Sequence, residues 1–234
     1  MHSTPLSTSA PIGYRYFHVV AMIFVSIILI SNTLAIKIIA LWHVTPPCGI
    51  ITIPISYLAG DILTEIYGFR KTRSLIWWGF FCMAGMGLFY WIAAMITPAP
   101  CFAAENPSFV KFFGLAPRIA AASFVAYLSG EFLNSIFLSY LKVKMQGKHF
   151  WLRAIVSTFV GQGADSFVFC FISFWGTFST PTVAWIAFSC YAIKVLYEFI
   201  ALPFTCLIVG WLKRAEGLDT YDYGVVYNPF KLKM

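Results

Sequence analysis

The chain has 234 residues, of which 60% are hydrophobic and 11% are charged. An ordinary soluble domain carries about 25% charged residues, so this composition excludes a soluble fold and favours a polytopic membrane protein. The formal net charge is +7, and because the basic residues cluster between apolar runs, they indicate topology and lipid headgroup contact and not nucleic-acid binding.

Six apolar runs are long enough to cross a bilayer, which needs about 20 residues per helix. They span residues 16–41, 50–67, 74–96, 118–141, 152–178 and 183–212. We therefore predict an all-α integral membrane protein with six transmembrane helices in a single domain, residues 16–213. A short polar segment (1–15) precedes this domain and a cytoplasmic tail (214–234) follows it. Since a signal peptide has a shorter apolar region, the first helix should be retained.

The basic residues predict the orientation of these helices. Lys111 is the main basic residue in the first, third and fifth loops. The positive-inside rule then places both termini, with the second and fourth loops, in the cytoplasm. The clusters that set this orientation are Arg15, Arg70, Lys71, Arg73, Lys142, Lys144, Lys148, Arg153, Lys213 and Arg214.

Cysteine and histidine spacing gives no metal or catalytic signature. Cys48 and Cys101 fall in predicted outer loops, where an oxidising compartment permits a bridge, and their pairing stays open. The four histidines show no ligand spacing, so we predict no metal and no cofactor. A serine–histidine pair is also absent from the helices, and we predict that the chain is not an enzyme.

A phrase repeated inside two apolar runs points to a binding site. Residues 57–63 read Tyr-Leu-Ala-Gly-Asp-Ile-Leu, and residues 127–133 read Tyr-Leu-Ser-Gly-Glu-Phe-Leu. A carboxylate at this depth costs about 2.5–3.5 kcal/mol, so we expect Asp61 and Glu131 to have a role in handling a polar solute. Both copies run from outside to inside, which makes the repeat parallel.

Further polar residues lie at the same predicted depth. Helical spacing of three or four residues puts the polar groups of each helix on one stripe, which should face the bundle interior. Five of these groups are acids, more than the helix lysines can neutralise, so the surplus is protonated or meets a cationic or donor-rich solute. The predicted substrate-binding residues are Asn32, Asp61, Glu65, Glu131, Asn134, Gln162, Asp165, Lys194 and Glu198.

Structural alternatives stay open for several of these residues. Lys194 and Glu198, four apart, could form a structural ion pair, and Glu65 could reach water or pair with Arg70. Asn134 and Gln162 could serve as interhelical hydrogen-bonding groups. Which aromatic stacks on a planar solute is also open. The deeper aromatics are Tyr57, Tyr127, Phe167, Phe169 and Tyr197.

Four segments resemble the queuosine precursor transporters of the vitamin uptake transporter family. They are residues 54–68, 118–123, 157–166 and 191–196. The resemblance implies a multi-pass importer in the bacterial cell inner membrane. Its implied substrates are 7-cyano-7-deazaguanine and 7-aminomethyl-7-deazaguanine, salvaged for the tRNA nucleoside queuosine. Membrane lipid is an implied partner, nucleic acid is not, and a homodimer and a coupling proton stay open.

The resemblance also ranks the site residues. The family's helix-two aspartate, helix-five aspartate and helix-six lysine fall on Asp61, Asp165 and Lys194. Members carry other residues where this chain has Glu65 and Glu131, so these two acids are expected to tune substrate choice. Two rival functions remain: a substrate-binding subunit of an ATP-driven vitamin uptake complex, and a membrane-embedded enzyme.

Overall fold

The computed structural model describes residues 14–35, 37, 39, 46, 48–113, 117–176 and 178–230. Every regular secondary-structure element within these residues is a helix, which confirms the predicted all-α class. Two short 3₁₀ turns (Cys48–Ile51 and Pro100–Phe102) accompany the α-helices. The α-helices are α1 (Phe17–Leu34), α2 (Ile53–Tyr67), α3 (Phe69–Met95), α4 (Asn106–Phe113), α5 (Pro117–Lys144), α6 (Phe150–Phe174) and α7 (Thr180–Glu216).

Five of these helices, α1, α3, α5, α6 and α7, are long and apolar enough to cross a membrane. The second predicted span corresponds to α2, which has 15 residues. At about 1.5 Å per residue, α2 is about 22 Å long, short of a 30 Å hydrocarbon core. The described residues therefore show five candidate spans, together with two shorter helices, α2 and α4.

Several helix boundaries differ from those predicted. α3 begins at Phe69 and not at residue 74, so the basic residues predicted in the second loop lie in its first turns. Arginine and lysine favour helix, so they do not end one, and the break falls on Gly68, whose φ is +83°. α4 occupies part of the predicted third loop. α1 ends at Leu34, seven residues before the predicted end, and most of those seven residues lie outside the described ranges.

The short helix α2 lies at the centre of the bundle. It packs against α1, α3, α5 and α7, and 12 of its 15 residues are buried. The outer faces of α3 and α7 carry exposed apolar side chains, such as Phe89 and Leu207, as lipid contact requires. Because α2 is enclosed by neighbouring helices, its polar side chains face protein and not lipid.

The segment after α7 folds back onto the helices. Asp222 accepts hydrogen bonds from the backbone N–H of Phe69 at 2.8 Å and from the Ser139 hydroxyl at 2.6 Å. The Trp77 indole N–H donates to the Pro229 carbonyl at 2.8 Å. Residues 217–230 thus pack against α3 and α5 at one end of the bundle. On the opposite side of the fold, Cys48 and Cys101 are free thiols and form no bridge.

Candidate functional site

Four buried acids from four helices form what we call the acid cluster: Asp61 (α2), Glu131 (α5), Asp165 (α6) and Glu198 (α7). Their exposed fractions are 0%, 0%, 6% and 2%. A Cβ atom on Gly60, the residue before Asp61, would lie 3.0 Å from Glu131 Oε2, and a Cβ atom on Gly130, the residue before Glu131, would lie 2.8 Å from Asp165 Cβ. Glu198 is one turn along α7 from Lys194, which binds Asp165, and its charge interacts with those of Asp61 and Glu131. The structure therefore brings together the four acids that the sequence placed at one depth.

Asp61 is held by α5. The side-chain amide of Asn134 donates to Asp61 Oδ1 at 2.7 Å, and both residues are wholly buried. The second carboxylate oxygen, Asp61 Oδ2, and the amide oxygen Asn134 Oδ1 have no hydrogen-bond partner among the described residues. Asn134 thus binds one oxygen of the Asp61 carboxylate and leaves the other oxygen available to accept a hydrogen bond from a solute.

Lys194 pairs with the acid of the neighbouring helix. Its ammonium donates to Asp165 Oδ2, which ties α7 to α6. The alternative pairing of Lys194 with Glu198 is absent from the described structure, where the only ion pair of the Lys194 ammonium is the one with Asp165. Neither Glu198 oxygen has a partner among the described residues. One ammonium therefore serves a cluster of four carboxylates.

Glycines let the helices that carry the acids approach closely. A Cβ atom on Gly130 would lie 2.8 Å from Asp165 Cβ and 3.1 Å from the Gly161 carbonyl. A Cβ atom on Gly161 would lie 2.7 Å from Asn134 Cβ. Such distances are too short for any other residue, so α5 and α6 meet backbone to backbone here. These glycines let Asp165 of α6 pack against α5 at Gly130, and Asn134 of α5 pack against α6 at Gly161.

The unpartnered polar atoms around the cluster are mainly hydrogen-bond acceptors. Both Glu131 oxygens and both Glu198 oxygens are buried and have no partner in the described part of the chain, as for Asp61 Oδ2. Gln162, one turn before Asp165 on α6, is unpartnered at both side-chain atoms. Buried polar groups are normally paired, so this set is suited to a solute that brings several N–H donors or a positive charge. The buried hydroxyls without a partner in the described residues are those of Tyr57, Thr158, Ser166 and Ser173.

Glu65 belongs to a separate group, which we call the ionic cluster: Glu65, Lys142, Arg153, Lys213 and Asp219. Arg153 binds Glu65 through two hydrogen bonds of 2.6 and 3.0 Å, and Lys213 binds it at 2.6 Å. Lys142 donates to the Glu65 carbonyl and to Asp219. Glu65 therefore pairs with these three cations, and not with Arg70 as the sequence had left open. Glu65 lies one turn along α2 from Asp61, yet its carboxylate is fully occupied by protein.

Asp219 completes the ionic cluster from outside the helices. Its carboxylate lies 2.9 Å from the Lys213 ammonium and also binds Lys142. Burial would raise the pKa of Asp219, but the hydrogen bonds from Lys142 and Lys213 outweigh it and hold that pKa below its usual value.

Asn32 is not drawn into the acid cluster. Its amide donates to the Ile28 carbonyl at 3.0 Å and approaches Met83 Sδ at 2.9 Å, which places it between α1 and α3. These contacts give no support to the predicted role of Asn32 in binding.

Two features of the site were missed by reasoning from sequence. Arg153 was assigned to topology, although it falls within the fifth predicted span and an arginine inside a span signals a buried partner. The structure buries it completely against Glu65. The free hydroxyl of Tyr57 was missed as well, because the sequence offers no way to tell it from that of Tyr127.

A helical membrane protein that encloses unpaired carboxylates among four helices has the architecture of a membrane transporter, with its site where helices converge. The family model described as "putative vitamin uptake transporter" matches residues 47–208, and the chain belongs to this family. The prediction of a transporter and not an enzyme is thereby confirmed, as is the multi-pass location in the bacterial inner membrane.

Three curated relatives are similar to this chain. A probable queuosine precursor transporter of Bacillus subtilis is 26% identical over 175 residues, which cover 74% of this chain and 76% of the relative. The queuosine precursor transporter of Escherichia coli is 27% identical over 170 residues, covering 71% and 74%. A probable queuosine precursor transporter of Haemophilus influenzae is 31% identical over 127 residues, covering 54% and 51%. No solved structure matches the chain significantly.

Proposed function

We propose that the chain imports the queuosine precursors 7-cyano-7-deazaguanine and 7-aminomethyl-7-deazaguanine through the acid cluster. The names of the three relatives support this substrate class. The observation that carries the proposal is the set of buried carboxylate oxygens on Asp61, Glu131 and Glu198 that have no partner among the described residues.

The chemistry of a deazaguanine complements this set. Its ring N–H and exocyclic amine are adjacent donors, which the two oxygens of one carboxylate can accept together. Glu131, with both oxygens unpartnered, is our choice for that role, and Asp61 Oδ2 is a further acceptor. For the aminomethyl compound, the carboxylate of Glu198 offsets the positive charge. The same unpaired acids are candidates to carry a coupling proton.

We also propose that α2 is a sixth, shorter span and that both termini are cytoplasmic. The ionic cluster supports this arrangement, because it brings together three residues that lie near helix ends. Glu65 lies near the end of α2, Arg153 near the start of α6 and Lys213 near the end of α7. These three positions lie on the same side in a six-span topology. That side carries the basic clusters, as the positive-inside rule requires of the cytoplasmic face.

Uptake by the purified chain in liposomes tests the proposal. Labelled 7-aminomethyl-7-deazaguanine should accumulate without any ATP-hydrolysing subunit, because the site is complete within one chain. Uptake only when such a subunit is added would favour a binding subunit of an ATP-driven complex. Release of a converted product without accumulation would favour an enzyme.

Two variants connect uptake to the site. Asp165→Asn should abolish uptake when the rate is compared per amount of folded protein in the membrane, because the Lys194 ammonium loses its partner. Glu131→Gln removes a carboxylate that has no cation partner in the described structure, so it tests the charge without leaving a buried cation unpaired. Glu105→Gln, in an exposed loop, is the control. Normal uptake by the Asp165 and Glu131 variants would overturn the assignment of this site.

A further inference from the structure

The two tyrosines of the sequence repeat differ in how their hydroxyls are bonded. Tyr57 on α2 and Tyr127 on α5 are both buried, with exposed fractions of 2% and 9%. The Tyr127 hydroxyl donates to the Ile76 carbonyl at 3.0 Å, which is an ordinary structural hydrogen bond. The Tyr57 hydroxyl has no partner among the described residues. A phenol that is buried without a partner loses its hydration and gains nothing in return.

The Tyr57 hydroxyl lies inside the acid cluster. It touches the place where Gly130 would carry a side chain, so the absence of a Cβ atom at this position makes room for it. The same missing side chain lies beside Asp165 Cβ. The phenol is also within electrostatic range of Asp165, Glu131 and Glu198. Tyr57 thus presents its polar end to the group of atoms that we propose as the binding site.

The cluster has few hydrogen-bond donors to offer a solute. The Lys194 ammonium is engaged by Asp165, and the Asn134 amide N–H by Asp61. Lys194 and Asn134 keep further N–H groups, but the donor side chains beside the cluster that make no hydrogen bond at all among the described residues are the Tyr57 hydroxyl and the Gln162 amide. Of these two, the phenol has a position fixed by close contact: it fills the space that a Gly130 side chain would occupy, a space that also borders Asp165 Cβ, so it lies where α2, α5 and α6 meet.

We propose that the Tyr57 hydroxyl donates a hydrogen bond to the carbonyl oxygen on the ring of a 6-oxo purine-like solute. This bond would contribute to a preference for 6-oxo over 6-amino compounds. The inference rests on the proposed function, since the acids hold the N–H edge of the solute in that proposal. The ring oxygen is the acceptor next to that edge, and it needs a donor. A 6-amino ring presents a donor there in place of the acceptor, and it also lacks the adjacent ring N–H, so it should bind more weakly. The share of this preference that Tyr57 supplies is the share that Tyr57→Phe removes.

The matched pair Tyr57→Phe and Tyr127→Phe tests the inference first without any solute. Thermal unfolding of the purified protein in detergent is the measurement. Tyr127→Phe should lower the melting temperature, because the Ile76 carbonyl loses its donor. Tyr57→Phe should leave it unchanged or raise it, because no bond is lost. A drop for Tyr57→Phe as large as that for Tyr127→Phe would overturn the inference, since it would reveal a structural partner.

Binding titrations supply the second test, with 7-cyano-7-deazaguanine and its analogue that carries an amino group in place of the ring oxygen. The wild type should prefer the 6-oxo compound, and Tyr57→Phe should reduce that preference about tenfold by weakening only the 6-oxo compound. Tyr127→Phe should keep the wild-type ratio. An unchanged ratio in Tyr57→Phe would overturn the inference and leave the proposed function standing. Failure of the wild type to bind either compound would overturn both.

Discussion

Removing the charge of Glu65 should destabilise the protein without weakening solute binding. Its carboxylate is wholly buried and receives two hydrogen bonds from Arg153, which is also wholly buried, and one from Lys213. Glu65→Gln would leave the Arg153 guanidinium buried without its counter-charge. Breaking a buried pair in this way costs about 3–5 kcal/mol. This is a large part of the 5–15 kcal/mol by which a typical domain is stable.

Equilibrium unfolding in detergent measures this loss, and Glu105→Gln in the exposed loop is the matched control. Replacing both partners, as Glu65→Gln with Arg153→Met, should recover much of the loss because no buried charge is then unpaired. The folded fraction of Glu65→Gln should bind 7-cyano-7-deazaguanine as the wild type does. The reasoning is refuted by the opposite pattern, in which stability is kept and affinity is lost. Glu65 would then contact the solute directly.

Two further predictions concern the helix contact and the ionic cluster. Gly130→Ala should destabilise the protein by about 1–3 kcal/mol through overpacking, since its Cβ atom would lie 2.8 Å from Asp165 Cβ, whereas Gly85→Ala meets nothing within 4 Å and should be tolerated. Equal stability of these two variants would contradict the close approach of α5 and α6. Because the pKa of Asp219 is lowered in the folded state, its contribution to stability is present above its ordinary pKa of about 3.9 and is lost as the pH falls through the lowered value. Asp219→Asn should therefore flatten the fall of melting temperature with acid below about pH 4; a profile that matches the wild type would argue against this ion pair.

Much of the fold could be predicted because length and apolar composition are local properties of the chain. α3, α5, α6 and α7 lie where the apolar runs predicted them, within a few residues at each end. The predicted boundaries were wrong where polar residues lie inside a helix, as with the basic first turns of α3. α2 ends at Tyr67, where its apolar run was predicted to end, but it begins at Ile53, three residues after the predicted start. That start could not be predicted, because the apolar residues before it form a 3₁₀ turn and not helix.

The acids of the site could be predicted, but their partners could not. Spacing along one helix places Asp61 and Glu65 on one stripe, yet the structure gives one an amide partner and the other an arginine. Those partners come from α5 and α6, and the sequence alone does not say which helices are neighbours. Lys194 shows the same limit, because its partner lies across the α6–α7 contact and not one turn along α7.

The most direct test of a deazaguanine site in the acid cluster is a binding titration of the purified protein. The titrants are 7-cyano-7-deazaguanine, 7-aminomethyl-7-deazaguanine, guanine and common vitamins. We predict saturable binding of both deazaguanines, no comparable binding of the vitamins, and weaker binding in Glu131→Gln. Tight binding of a vitamin with none of the deazaguanines, or wild-type binding by Glu131→Gln, would contradict the account.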